Sequence, residues 1–135
     1  MGQDRFEAIF PDGAGPGKAT FSPAVRVGNT IWISGMTAGD ERGQVVGVGD
    51  IAAQTRYIFQ KMDRILRAAG GSLRDVVETT DYVTTFDNYR ATAEIRREMF
   101  GDPPYPAATG VQVTALVRKD ALIEISAVAV LGCRS

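Results

Sequence analysis

At 135 residues, with 15 basic and 16 acidic side chains and a formal charge of −1, the chain is long enough for one packed domain and too short for two. A near-neutral surface argues against nucleic acid or an anionic membrane as a partner, and no apolar run approaches the roughly 20 residues that span a bilayer. There is no histidine and one cysteine, Cys133, which excludes intrachain disulfides, multi-thiolate zinc sites and any Ser-His-Asp or Cys-His nucleophile.

In chain order, the opening MGQDRFEAIF has neither the basic start nor the apolar stretch of a secretory leader, so a cytoplasmic location is expected. A single domain spans 1–135, with residues 1–17 as an extended N-terminal segment; PDGAGPGKA, at 11–19, holds no regular element. AVRVGNTIWISG alternates around Gly28-Asn29, which predicts a hairpin of two strands ending at Gly35, with Trp32 in the core. A polar loop follows, with a short β segment around Gln44–Val46. Asp50 is placed to cap a helix whose apolar face is Ile51, Ile58, Phe59, Met62, Ile65, Leu66 and Ala69, closed by Gly70-Gly71. Lys61, Arg64 and Arg67 read as its solvated side.

DVVETTDYVTT, at 75–85, alternates as a strand, and a second helix is predicted over about 88–100 with Asp87 as its cap. ATGVQVTALV and ALIEISAVAVL then read as an antiparallel hairpin turning at Arg118-Lys119-Asp120. The order β-β-α-β-α-β-β predicts an α+β domain, with helices on one face of a mixed sheet. The last strand is apolar almost throughout, which predicts burial on both faces, the second by other copies of the chain.

Glu124 stands inside that strand, flanked by isoleucines. A carboxylate walled in by hydrocarbon tends towards a raised pKa and can move a proton near neutrality. The competing reading, a glutamate tied to a cationic partner, has equal standing. Ser34-Gly35 offers a hydroxyl and a backbone N–H at a strand end, or only a turn. The glycines of GQVVGVG lack phosphate-binding spacing, and Cys133 reads as an inert tail thiol.

FSPAVRVGNTIWISG, the Gln54-Thr55 start of the helix, LRDVVETTDYVTTFDNY, PYPAATGVQVTAL and LIEISAVAV together resemble the Rid family, also called YjgF/YER057c/UK114, over about residues 18–131. The resemblance implies a chorismate-mutase-like fold, a homotrimer around an inner barrel, a small-molecule ligand in each inter-subunit cleft, and no metal or organic cofactor. It implies hydrolysis of enamines and imines such as 2-aminoacrylate. An arginine of a Pro-Ala-Arg-Ser motif grips the substrate carboxylate there, and a glutamate of the last strand activates water.

Carried over by position, that glutamate is Glu124 and the Ser-Gly pair is Ser34-Gly35. The usual cleft tyrosine is Phe21, the asparagine is Ala93, and the arginine is Ala108, followed by Thr109 and Gly110. Losing a bidentate anion clamp costs a carboxylate ligand much of its affinity. Phe21, Ala93, Ala108 and Gly110 are therefore expected to leave a larger, less polar cleft, for a ligand that is neutral, cationic or anchored elsewhere. Arg118 and Lys119 are expected to lie too far away to help, whereas Arg96 and Arg97 are near the asparagine position. Glu124 as acid/base, with Thr109 and the N–H groups around Gly35 and Gly110 as electrophilic groups, gives an imine- or enamine-processing enzyme. A ligand-binding trimer without catalysis is the alternative, and ribonuclease activity the weakest reading.

Overall fold

A computed structural model describes residues 5–13 and 15–134. One six-stranded mixed sheet runs β1 (Glu7–Ile9), β2 (Ala24–Val27), β3 (Thr30–Met36), β6 (Ile123–Val130), β4 (Val76–Val83) and β5 (Ala107–Gln112) from edge to edge. Helices α1 (Ile51–Ala68) and α2 (Ala91–Phe100) pack together against one face, which is the α+β arrangement expected.

Helix α1 begins and ends as its sequence dictates. Asp50 accepts from the Ala53 N–H at 3.0 Å. At the other end the Gly70 N–H reaches Arg67 O and the Gly71 N–H reaches Leu66 O, with Gly70 at φ +89°, the paired bonds of a left-handed helix stop. Its buried face adds Gln54 and Thr55 to the apolar positions.

Gln54 is fully buried and fully bonded. Its amide donates to the carbonyls of Gly47 and Asp120 and accepts from the Leu122 N–H. One side chain thus fastens the helix start, the preceding loop and the approach to β6. Gln54→Ala would strand these groups, so a loss of about 2–4 kcal/mol is expected in urea unfolding; a change under about 0.5 kcal/mol would contradict the role.

Several expectations change. Residues 7–9, inside the segment read as extended, pair with β2 as strand β1, while residues 1–4 lie outside the described chain. Helix α2 starts at Ala91, and its first-turn N–H groups receive no side-chain cap. Asp87 instead stands in a turn in which Asn88 takes φ +61°. The loop expected to hold a short β segment makes one isolated bridge, Gly39 to Val45.

The predicted final hairpin does not form. β5 pairs parallel to β4 at the sheet edge, and β6 lies between β3 and β4, antiparallel to both. The most apolar strand takes the centre, where core contacts are densest, while Ala107, Ala108, Thr109 and Gly110 go to the rim. Along β6, Ile123, Ile125, Ala127 and Ala129 face the helices, while Glu124, Ser126, Val128 and Val130 share the face that a single chain leaves uncovered. Trp32, opposite Val128, is on that open face and 46 % exposed rather than in the core.

Candidate functional site at the Glu124 cleft

Glu124 leaves β6 on the open face, level with Tyr82 of β4. Ile123 and Ile125 point the other way, into the core, so they do not wall in the carboxylate, which is half-buried. Its neighbour is Gly35. A Cβ there would stand 2.5 Å from Glu124 Oε2, so the acid in this position takes up the room that a side chain at residue 35 would need. The β3–β6 register slips between Ile33 and Met36, and such a bulge re-aims the residues within it.

Ser34 is committed to structure. Its hydroxyl donates to Ser22 O at 2.6 Å and its N–H to Pro23 O at 3.0 Å, which steadies the loop presenting Phe21. Phe21, 68 % exposed, joins Ser34, Gly35 and Glu124 around two adjoining clefts on either side of Met36 and Gly39. Among the described residues Glu124 makes no ion pair.

Ala93, Ala108, Thr109 and Gly110 are not part of this assembly. Ala93 is exposed on α2. β5 is separated from β6 by β4, which puts it about 10 Å away at ordinary strand spacing. Ala108 and Gly110 lie beside Thr79 and Asp81, while Thr109 pairs with Thr80 on the opposite face. Gly110 does not enlarge a cleft as expected, because the Tyr89 hydroxyl fills its space, 2.6 Å from where a Cβ would be.

A second charged group lies here. Asp81 is fully buried and accepts from the Tyr89 hydroxyl at 2.6 Å and from Arg96 Nη2 at 2.5 Å. Arg96 also donates to Thr79 Oγ1 at 3.1 Å and lies over the Phe59 ring. A guanidinium therefore does arrive from α2 beside the strand position of Ala108, but it is already paired with Asp81. Arg97 pairs with Glu94 at the surface.

Burial, then the hydrogen bond to Asp81 and its charge, push the Tyr89 phenol up to about 12. The unfolded phenol ionises near 10, so this contribution to stability is whole below about pH 10 and is lost as pH rises through about 12. In an absorbance titration of the four tyrosines, one step near pH 12 is expected, and Tyr89→Phe is expected to remove it. If no step appears near pH 12, the bond to Asp81 is not made in solution.

Three cationic residues lie elsewhere than the sequence suggests. Lys61 is not on a solvated face: its ammonium donates to the carbonyls of Thr37 and Gly39, both at 2.9 Å. Arg118 and Lys119 are not remote, since both line the Glu124 cleft. With no β5–β6 hairpin, the connection 113–122 folds back over the loop at 39–43, where Arg118 Nη1 donates to Gly43 O at 2.7 Å. Among the described residues no cluster of acidic or cysteine side chains is placed to hold a metal, and no helix is long and apolar enough to cross a membrane.

Known proteins share this framework. The profile of the Endoribonuclease L-PSP family matches residues 14–131. The 3-aminoacrylate deaminase RutC of Acinetobacter baylyi is 42 % identical over 123 residues, covering 91 % of this chain and 96 % of that one. The crystal structure of RidA from an Antarctic Psychrobacter superposes with a TM-score of 0.81 at 34 % identity, over 93 % of this chain and 99 % of that one. Rv2704 from Mycobacterium tuberculosis, described as a YjgF/YER057c/UK114 family member, gives 0.77 at 32 % identity, over 94 % and 100 %. With the family profile matched over residues 14–131 and relatives at 32–42 % identity matched over nearly the whole chain, the protein belongs to the Rid (YjgF, L-PSP) family.

Proposed function

We propose that the protein hydrolyses a small enamine, through its imine tautomer, to a carbonyl compound and ammonia. The observation that carries this reading is the Glu124 carboxylate, set against the bare Gly35 at an open cleft with no ion pair among the described residues. A carboxylate not consumed by a structural cation is free to exchange protons. Glu124 takes a proton from water as its oxygen bonds to the imine carbon, then returns it to nitrogen. In the resulting carbinolamine Glu124 then carries the hydroxyl proton to the same nitrogen, and as the C–N bond breaks the C=O bond forms and ammonia leaves.

The similarity to a 3-aminoacrylate deaminase supports this class of reaction. Ala108 removes the family's usual anchor from β5, so 2-aminoacrylate held in the usual way is not the expected substrate. An open cleft favours catalysis over the alternative of a purely ligand-binding protein.

The active unit is a homotrimer in this reading. Val25, Trp32, Val128 and Val130 leave an apolar strip on the uncovered face, and all six residues of β5 are exposed. A second copy would cover both and could bring Ala93, Ala108, Thr109 and Gly110 to the cleft. The test is ammonia release by purified protein from freshly generated 3-aminoacrylate, 2-aminoacrylate and a neutral imine. Release above the uncatalysed rate from at least one supports the proposal; none from any of them refutes it.

A further inference from the structure

The Glu124 cleft, about 960 Å³, has a cationic side that the proposed chemistry has not used; Lys61, Arg118 and Lys119 line it together with Asp40 and Asp120. Lys61 spends two ammonium donors on the Thr37 and Gly39 carbonyls, and an ammonium has a third. Arg118 anchors one nitrogen on Gly43 O and lays its guanidinium over Gly39, where a Cβ would come within 2.9 Å of Nε and 3.3 Å of Cζ. Among the described residues its remaining donors meet no acceptor.

Neither cation makes an ion pair among the described residues. Asp40 is turned to its own loop, with Oδ1 accepting from the Arg42 and Gln44 N–H groups, and Asp120 is exposed on the turn. Burial holds the Lys61 ammonium below the usual lysine range, and the charges of Arg118 and then Arg64 add to this, with Asp40 opposing. Two like charges are thus fixed near one another by backbone carbonyls, and an anion between them would relieve their repulsion. Such a preformed pair holds an anion without reorganising.

We propose that Lys61 and Arg118 form a carboxylate-binding subsite in the Glu124 cleft, replacing within one chain the anion clamp that Ala108 lacks. The inference rests on the deaminase reading and narrows its substrate to a short enamine that bears a carboxylate. Glu124 repels that carboxylate, so the ligand lies with its carboxylate on Lys61 and Arg118 and its C–N end towards Glu124 and Gly35.

The experiment is calorimetric titration of the purified protein with acrylate, an unreactive carboxylate probe, and with acrylamide, its neutral counterpart. Arg118→Gln keeps an N–H for Gly43 O and loses the charge; Lys61→Gln does the same for the Thr37 and Gly39 carbonyls. Arg97→Gln removes a distant surface charge as the control. Acrylate affinity is expected to fall about tenfold or more in each cleft variant, with acrylamide binding unchanged and Arg97→Gln behaving as native. Failure of acrylate to bind the native protein, undiminished binding in both cleft variants, or an equal loss for acrylamide would overturn the subsite.

Ammonia release separates the two proposals. Native turnover of 3-aminoacrylate with an unaltered KM in Arg118→Gln overturns the subsite and leaves the deaminase standing. Acrylate binding that depends on Arg118, without turnover of any enamine, does the reverse.

Discussion

Asp81→Ala is expected to cost about 3–5 kcal/mol of stability, the largest effect of any single change considered, because it leaves a shielded guanidinium without its counter-charge. Asp81 is 0 % exposed and the Arg96 side chain 18 %, so solvent cannot take over. The Tyr89 hydroxyl loses its acceptor in the same stroke. Removing both charges is a different matter. Asp81→Leu with Arg96→Met replaces the pair by hydrocarbon of similar bulk, and such exchanges are often neutral or stabilising. Urea unfolding of the two single variants and the double variant would show a deep loss followed by recovery. If Asp81→Ala costs less than about 1 kcal/mol, the ion pair is not shielded as described.

Glu124→Gln is expected to abolish most catalysis while leaving the fold untouched. The amide has the shape of the acid and fits against Gly35, but it cannot accept and return a proton; the loss expected is about 100-fold or more in kcat. Melting temperature should stay within about 2 °C of native, since the carboxylate makes no ion pair in the described chain to be lost. Equal rates for the two proteins would remove Glu124 from the mechanism. A large fall in melting temperature would assign it to holding the assembly together.

What could be read from the residues divides by range. The β2–β3 hairpin and α1 with both of its ends follow from neighbours in sequence: Gly28-Asn29 for the turn, Asp50 for the cap, Gly70-Gly71 for the stop. Strand order does not, because β6 finds its partners among β3 and β4 from far along the chain, and an apparent turn at Arg118-Lys119-Asp120 suggested a hairpin instead. Glu124 was visible as an acid in an apolar strand. Asp81, an acid among Val, Thr and Tyr, carries the same signal. The uses of Lys61 and Arg118 could not be inferred locally, since both depend on where the loop at 37–43 puts its carbonyls. Gly35 reads as a backbone N–H and Gly110 as added room, while Glu124 and the Tyr89 hydroxyl, which occupy the space beside them, come from distant parts of the chain.

Gln54 gives the fold an unusual kind of economy. One primary amide, on the Gly47 and Asp120 carbonyls and the Leu122 N–H, ties the helix start to the loop before it and to the chain that leads into the strand bearing Glu124. Drift in any of the three is felt by the others, so the acid's aim belongs to the subunit as a whole. Substitutions that spoil it need not touch the cleft at all.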